Sequence, residues 1–63
     1  MMDKKAFLEL VREIQGLGYD EKTAAHYAML IGDMPISDEA GNIIVMEGRR
    51  VVARLKPLKF FGE

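Results

Sequence analysis

The chain has 63 residues, with nine lysines and arginines, ten aspartates and glutamates, one histidine and no cysteine. At this length we predict one domain, residues 1–63, near the lower limit for folding alone, because such a chain buries only about 60% of its unfolded surface. The lack of cysteine excludes disulfide staples and thiolate metal sites, and a single histidine argues against structural zinc. The hydrophobic content of 49% is typical of a chain with a folded core.

The charges are distributed unequally along the chain. Residues 1–42 carry four basic and eight acidic side chains, whereas residues 43–63 carry five basic and two acidic ones. The first part is therefore acidic and the second basic. The simplest consequence is attraction between the two halves of one molecule.

A first helix is predicted over residues 3–17. Asp3 can cap its N-terminus, and Gly18 is the better of two glycine candidates for a left-handed cap at its end. Apolar residues recur at helical spacing and form one stripe: Phe7, Leu10, Val11, Ile14 and Leu17.

A second helix is predicted over residues 20–31, between two sharp breaks. Asp20 can cap its start, Gly32 can close it in a left-handed conformation, and Pro35 prevents it from resuming. Apolar residues gather on its core side: Ala24, Tyr27, Ala28, Leu30 and Ile31. Ala25 and Met29 form a second apolar strip. The apolar part of this helix surface is therefore wider than the side that would face the core.

A β ribbon is predicted over residues 36–55, as a hairpin or a short three-stranded antiparallel meander. Two β-prone runs, residues 43–46 and 50–55, flank Gly48, which can adopt the positive φ of a tight turn. The fold class is therefore α+β, with two packed helices followed by the ribbon. Residues 56–63 form a basic and aromatic tail.

The register of the ribbon follows from the turn. With Gly48-Arg49 as the turn, three cross-strand pairs are predicted: Met46 with Val51, Ile44 with Ala53, and Glu47 with Arg50. This register puts one apolar set on the core side: Ile44, Met46, Val51, Ala53 and Leu55. It puts another set on the opposite side: Ile43, Val45, Val52 and Arg54. A turn of Glu47-Gly48 would instead pair Ile44 with Val51.

No arrangement of residues predicts catalysis. His26 is the only histidine and Ser37 the only serine, and a chain this short rarely builds a pocket of convergent polar groups. The acids Asp33, Asp38 and Glu39 lack the spacing of a calcium loop. We therefore predict a protein that is not an enzyme, with no catalytic, cofactor-binding or metal-binding residue.

The surplus of apolar residues predicts a small binding or regulatory module. It would self-associate, as a homodimer, or dock on another protein, because small domains without staples often gain burial by oligomerising. The candidate contact residues are Ala25, Met29, Phe60 and Phe61. The longest apolar run, Tyr27 to Ile31, falls far short of the roughly 20 residues of a membrane span. With no signal-peptide pattern at the start, we expect a cytoplasmic protein without membrane contact.

Nucleic-acid binding is the alternative function. Its candidate residues lie in the basic half, where Phe60 and Phe61 could stack on bases: Arg49, Arg50, Arg54, Lys56 and Lys59. Gly18-Tyr19 between two helices, followed by a hairpin, resembles the second half of a winged helix domain. This sequence departs from that family in two ways: Asp20-Glu21 opens the would-be recognition helix with the wrong charge for phosphates, and a preceding helix is missing.

The link between the helices has a second resemblance. Leu17-Gly18-Tyr19 is similar to the first loop of ubiquitin-associated domains. Those domains continue with a third helix, where β-prone residues stand here. The resemblance covers about half of the chain and implies no specific site residue.

Overall fold

A computed structural model describes residues 3–57 and places two helices before a three-stranded antiparallel sheet. The helices are α1, Lys4–Gly16, and α2, Glu21–Asp33. The strands are β1, Ile36–Ser37, β2, Ile43–Glu47, and β3, Arg50–Leu55, which pair in the order β1-β2-β3. The predicted α+β class, in its meander form, is confirmed.

Both predicted N-caps are present. Asp3 Oδ1 accepts a hydrogen bond from the Ala6 N–H at 2.7 Å, and Asp20 Oδ1 accepts one from the Thr23 N–H at 2.8 Å. Hydrogen bonds from the Thr23 side chain and then its backbone N–H hold the pKa of Asp20 below its usual value of 3.8. Because folding lowers this pKa, the cap stabilises the fold above about pH 4 and loses that contribution as pH falls through the folded pKa.

Of the two glycine caps predicted at the C-terminal ends of the helices, the one after α1 is present and the one after α2 is not. Gly18 has φ +113°, as a left-handed cap after α1 requires. The expected left-handed cap at Gly32 is wrong, because α2 continues through this residue to Asp33. Pro35 accounts for the later end, since a proline disfavours helical geometry in the residue before it, and Met34 has φ −146° and ψ 85°.

The core lies between the helix pair and one face of the sheet. Each layer contributes three buried side chains: Leu10, Val11 and Ile14 from α1, Ala24, Ala28 and Ile31 from α2, and Ile43, Val45 and Leu55 from the sheet. Ala24 and Ala28 have small side chains, so α1 and the sheet can both approach the buried side of α2 closely.

The hairpin register follows the prediction only near the turn. Met46 pairs with Val51 and Glu47 with Arg50, as expected for a Gly48-Arg49 turn. Val45 then pairs with Ala53, which leaves Val52 without a partner as the extra residue of a β-bulge. As a consequence Ile44 pairs with Arg54, so the predicted pairings of Ile44 with Ala53 or with Val51 are both wrong.

The predicted core side of the ribbon is largely inverted. Ile43 and Val45 are buried, whereas Ile44 and Met46 are only half-buried and Val51 is exposed. On β2 both alternating sets are apolar, so alternation alone gave no means of choosing between them. On β3 the bulge shifts the alternation by one residue, and Val52 and Ala53 both pack against the core.

Gly48→Val should destabilise the fold by about 1–3 kcal/mol, the range for enforced backbone strain. Gly48 has φ +66°, a conformation that a β-branched residue resists. Urea denaturation followed by circular dichroism measures the loss. Arg49→Val is the matched control, because Arg49 lies in the same turn without a positive φ. Equal stabilities for the two variants would show that the turn tolerates a side chain at Gly48.

Candidate protein-interaction surface

The sheet has the helices on one face only. Residues on a strand alternate between faces, and Ile43, Val45 and Leu55 occupy the inner face in the core. The opposite side, which we name the outer face, carries Ile36, Ile44, Met46, Val51 and Arg54. Within residues 3–57, none of the four apolar members of the outer face belongs to the core cluster or packs against it.

The outer face is partly open to solvent. Val51 is 48% exposed, and the other three apolar side chains are half-buried. Met34 is 50% exposed and lies two residues before Ile36. Continuing the β1–β2 register by two residues would bring Met34 opposite Met46. Contiguous apolar surface of this kind marks interaction sites more often than scattered single residues do.

One end of the outer face is polar and locally fixed. Asp38 Oδ1 accepts hydrogen bonds from the Ala40 and Asn42 N–H groups at 2.9 Å each, and Asp38 Oδ2 accepts one from Asn42 Nδ2 at 3.1 Å. The Asn42 side chain is the main reason that the pKa of Asp38 lies below 3.8. Arg54 Nη1 lies 3.6 Å from Asp38 Oδ2, a surface ion pair that closes this end of the apolar patch.

The candidate contact residues from the sequence do not meet at this face. Met29 is 60% exposed, but it lies on α2, which packs against the inner side of the sheet. Ala25 is half-buried and packs against the core. Phe60 and Phe61 lie outside the described residues. The structure therefore separates Met29 from the outer face and leaves Ala25 only partly accessible.

The described basic residues that were candidates for nucleic-acid binding are distributed along the length of β3 and its two ends. Arg49 and Arg50 are exposed at the turn, and Lys56 is exposed at the other end of the strand. A strand rises about 3.3 Å per residue, so Arg50 and Lys56 are separated by roughly 20 Å. Arg54 lies between them beside Asp38. Lys59 lies outside the described residues.

His26 links α2 to the turn end of the sheet. Its Nε2 lies 3.6 Å from Glu47 Oε2, and both side chains are about half exposed. This contact is an ion pair only when the histidine is protonated. Among residues 3–57 no three histidine, aspartate or glutamate side chains are grouped so that they could hold a metal ion.

An open cleft of about 300 Å³ lies between the end of α1 and the end of β3. The described residues that line it are Gly16, Leu17, Tyr19, Arg54, Leu55 and Lys56. None of these described lining residues carries a carboxylate, an imidazole or a serine hydroxyl.

The outer face does not follow from the sequence, because the predicted register places Ile44 and Met46 in the core. A signal for it was present in residues 43–46, where every side chain is apolar. A strand that is apolar on both sides places one of its two apolar sets away from the helices.

Comparisons with protein-family models, with curated proteins and with solved structures found no match. The class of protein therefore rests on the fold and its surface: a small α+β domain with an apolar outer sheet face. Within residues 3–57, neither helix is long and apolar enough to cross a membrane.

Proposed function

We propose that the protein is a small non-enzymatic binding module that acts by self-association through the outer face of its sheet. The observation that carries this proposal is a three-stranded sheet with helices on one face and apolar side chains on the other. The lack of cysteine favours the cytoplasm as its compartment.

A second copy of the chain is the partner that this face fits best. An apolar face is complementary to itself, and a two-fold axis lying in the interface buries both copies of the patch at once. Domains of this size rarely gain more than about 3–5 kcal/mol from their own core, so added burial matters. Met46 also suits such a contact, because methionine adapts its shape to an apposed surface.

Replacing Met46 and Val51 together by lysine should convert the associating protein to a monomer. The two added charges would lie at the centre of the interface, where burying an unpaired ammonium group is costly. Sedimentation equilibrium over a concentration series up to hundreds of micromolar measures the association, and circular dichroism checks the fold.

The matched control is Leu8→Lys with Met29→Lys, which changes two exposed apolar residues on the helices instead. We expect this variant to associate like the wild type. Loss of association in the control alone would move the interface to the helices. A wild-type chain that stays strictly monomeric at hundreds of micromolar would contradict self-association and leave only a different protein as partner.

Nucleic-acid binding is kept as a second candidate because of one observation. Among residues 3–57, Arg49, Arg50 and Lys56 are exposed and no carboxylate lies within 4.0 Å of them. Binding through these residues would weaken with salt by about 0.7–0.9 log units per phosphate contact for each log unit of salt.

Titration of generic duplex and single-stranded oligonucleotides at low salt tests this second candidate. Replacing Arg49 and Arg50 together by alanine should reduce the salt slope by roughly two contacts. No binding below about 100 micromolar, the weak end of non-specific affinity, would exclude it. We expect that negative result, because the acidic helical half repels the phosphate backbone.

A further inference from the structure

The free edge of β3 is a second surface, distinct from the outer face. In the strand order β1-β2-β3, no strand within residues 3–57 pairs with the far side of β3. This strand has six residues, whereas β1, at the opposite edge, has two. Unpaired backbone N–H and C=O groups along an edge strand can bond an extended segment of another chain.

The charges along this edge all have one sign. Arg50 and Arg54 lie within β3, Arg49 precedes it and Lys56 follows it, and the strand contains no acidic residue. Within the described part of the chain, Arg54 alone of these four has a carboxylate within 4.0 Å, that of Asp38, and its side chain is still 62% exposed. Side chains on an added strand would lie about 5 Å from those of β3, so acidic side chains would pair with these cations.

A second copy of β3 is a poor occupant for the same edge. Antiparallel pairing centred on Val52 would set Arg50 of one copy opposite Arg54 of the other. Pairing centred on Ala53 would set Arg50 opposite Lys56. Like charges directly opposite one another destabilise a strand pair. Charged side chains along an edge strand are a usual protection against pairing between copies.

We infer that the free edge of β3 binds an acidic extended segment of another protein by strand addition. Backbone hydrogen bonds supply the attachment, and the four cations select an acidic sequence. The backbone groups of this edge are separate from the outer face, although Arg54 belongs to both surfaces, so a copy that has dimerised through the outer face still presents the backbone edge of β3.

The probe is a fluorescein-labelled ten-residue peptide in which pairs of adjacent glutamates alternate with single valines, so that an added strand carries carboxylates on both of its faces. It is titrated with full-length protein at about 0.15 M salt, where the Debye length is about 8 Å. Fluorescence anisotropy measures its Kd. The edge variant combines Arg50→Glu with Lys56→Glu, which leaves the pair between Arg54 and Asp38 intact. The matched control combines Lys4→Glu with Lys5→Glu, two exposed residues of α1 with the same charge change.

The wild type should bind the peptide, and the edge variant should bind at least about tenfold more weakly, since two favourable cross-strand pairs become unfavourable. The control should stay within about twofold of the wild type, because surface charges far from the site are screened. A peptide with methylated amide nitrogens along one edge should lose binding, because it lacks the N–H donors for strand addition.

Three results would overturn the inference. Equal binding of the methylated peptide would show ion pairing without strand addition. Equal weakening by the α1 control would show a response to net charge only. No binding of the wild type up to about 1 mM, the limit of weak association, would show that the edge is closed to an added strand. Self-association of the chain is measured separately, so each result bears on the edge alone.

Discussion

Leu10→Ala should lower the free energy of unfolding by about 2–5 kcal/mol, the usual range for a buried leucine. Leu10 is fully buried on α1 and belongs to the core cluster, to which both helices and the sheet contribute. The truncation leaves a cavity that its neighbours fill only in part. A core of this size rarely contributes more than about 3–5 kcal/mol, so the variant should be largely unfolded at room temperature.

Leu8→Ala is the control for this prediction. Leu8 lies on the same helix two residues earlier and is 46% exposed, so its truncation should cost no more than about 0.5 kcal/mol. Urea denaturation of both variants, followed by far-ultraviolet circular dichroism, gives the comparison. Similar losses would mean that α1 presents a different side to the core.

The helices could be predicted because their signals are local. Asp3 and Asp20 cap the helices through bonds to residues three positions away, and the periodic stripe of α1 selects its buried side chains directly. The prediction went wrong at Gly32 because a glycine permits a left-handed cap without requiring one. Pro35 acts by steric exclusion and therefore sets the end of α2.

The sheet could be predicted in topology but not in the direction of its faces. The positive φ of Gly48 is a local property, and it correctly fixes Met46 opposite Val51. Which alternating set of β2 is buried depends instead on how the helix pair packs on the sheet. The bulge at Val52 then changes the alternation on β3. No glycine, asparagine or aspartate lies at this position to indicate a bulge in the sequence.

For the candidate site too, features set by local sequence could be predicted, and features set by packing could not. Exposure of Met29 and of the basic residues at the turn could be predicted, because helical periodicity and turn position determine them. The outer face could not, because it requires knowledge of the buried set on β2. An error of one position on a strand moves every side chain to the other face, so the sequence pattern assigns side chains of the outer face to the core.

One pair of substitutions at adjacent positions can test which face of β2 is buried and which lies on the outer side of the sheet. Val45→Lys should unfold the protein, because Val45 is fully buried and an unpaired ammonium group in the core costs several kcal/mol. Met46→Lys should leave the fold intact, with a loss of no more than about 1 kcal/mol, because this side chain points away from the core.

Thermal melts and sedimentation on the same samples check both halves of this prediction. Met46→Lys should melt near the wild-type temperature and yet fail to self-associate, whereas Val45→Lys should show no cooperative transition. The two variants differ by one position along the strand and introduce the same side chain, so charge and β-propensity cancel in the comparison. If Met46→Lys were the unfolded variant and Val45→Lys the folded one, Ile44 and Met46 would be the buried set of β2, and Ile43 and Val45 would lie on the outer face instead. If both variants fold and both associate, the interface lies elsewhere on the protein, because a lysine at the centre of an apolar contact cannot be accommodated without loss of affinity.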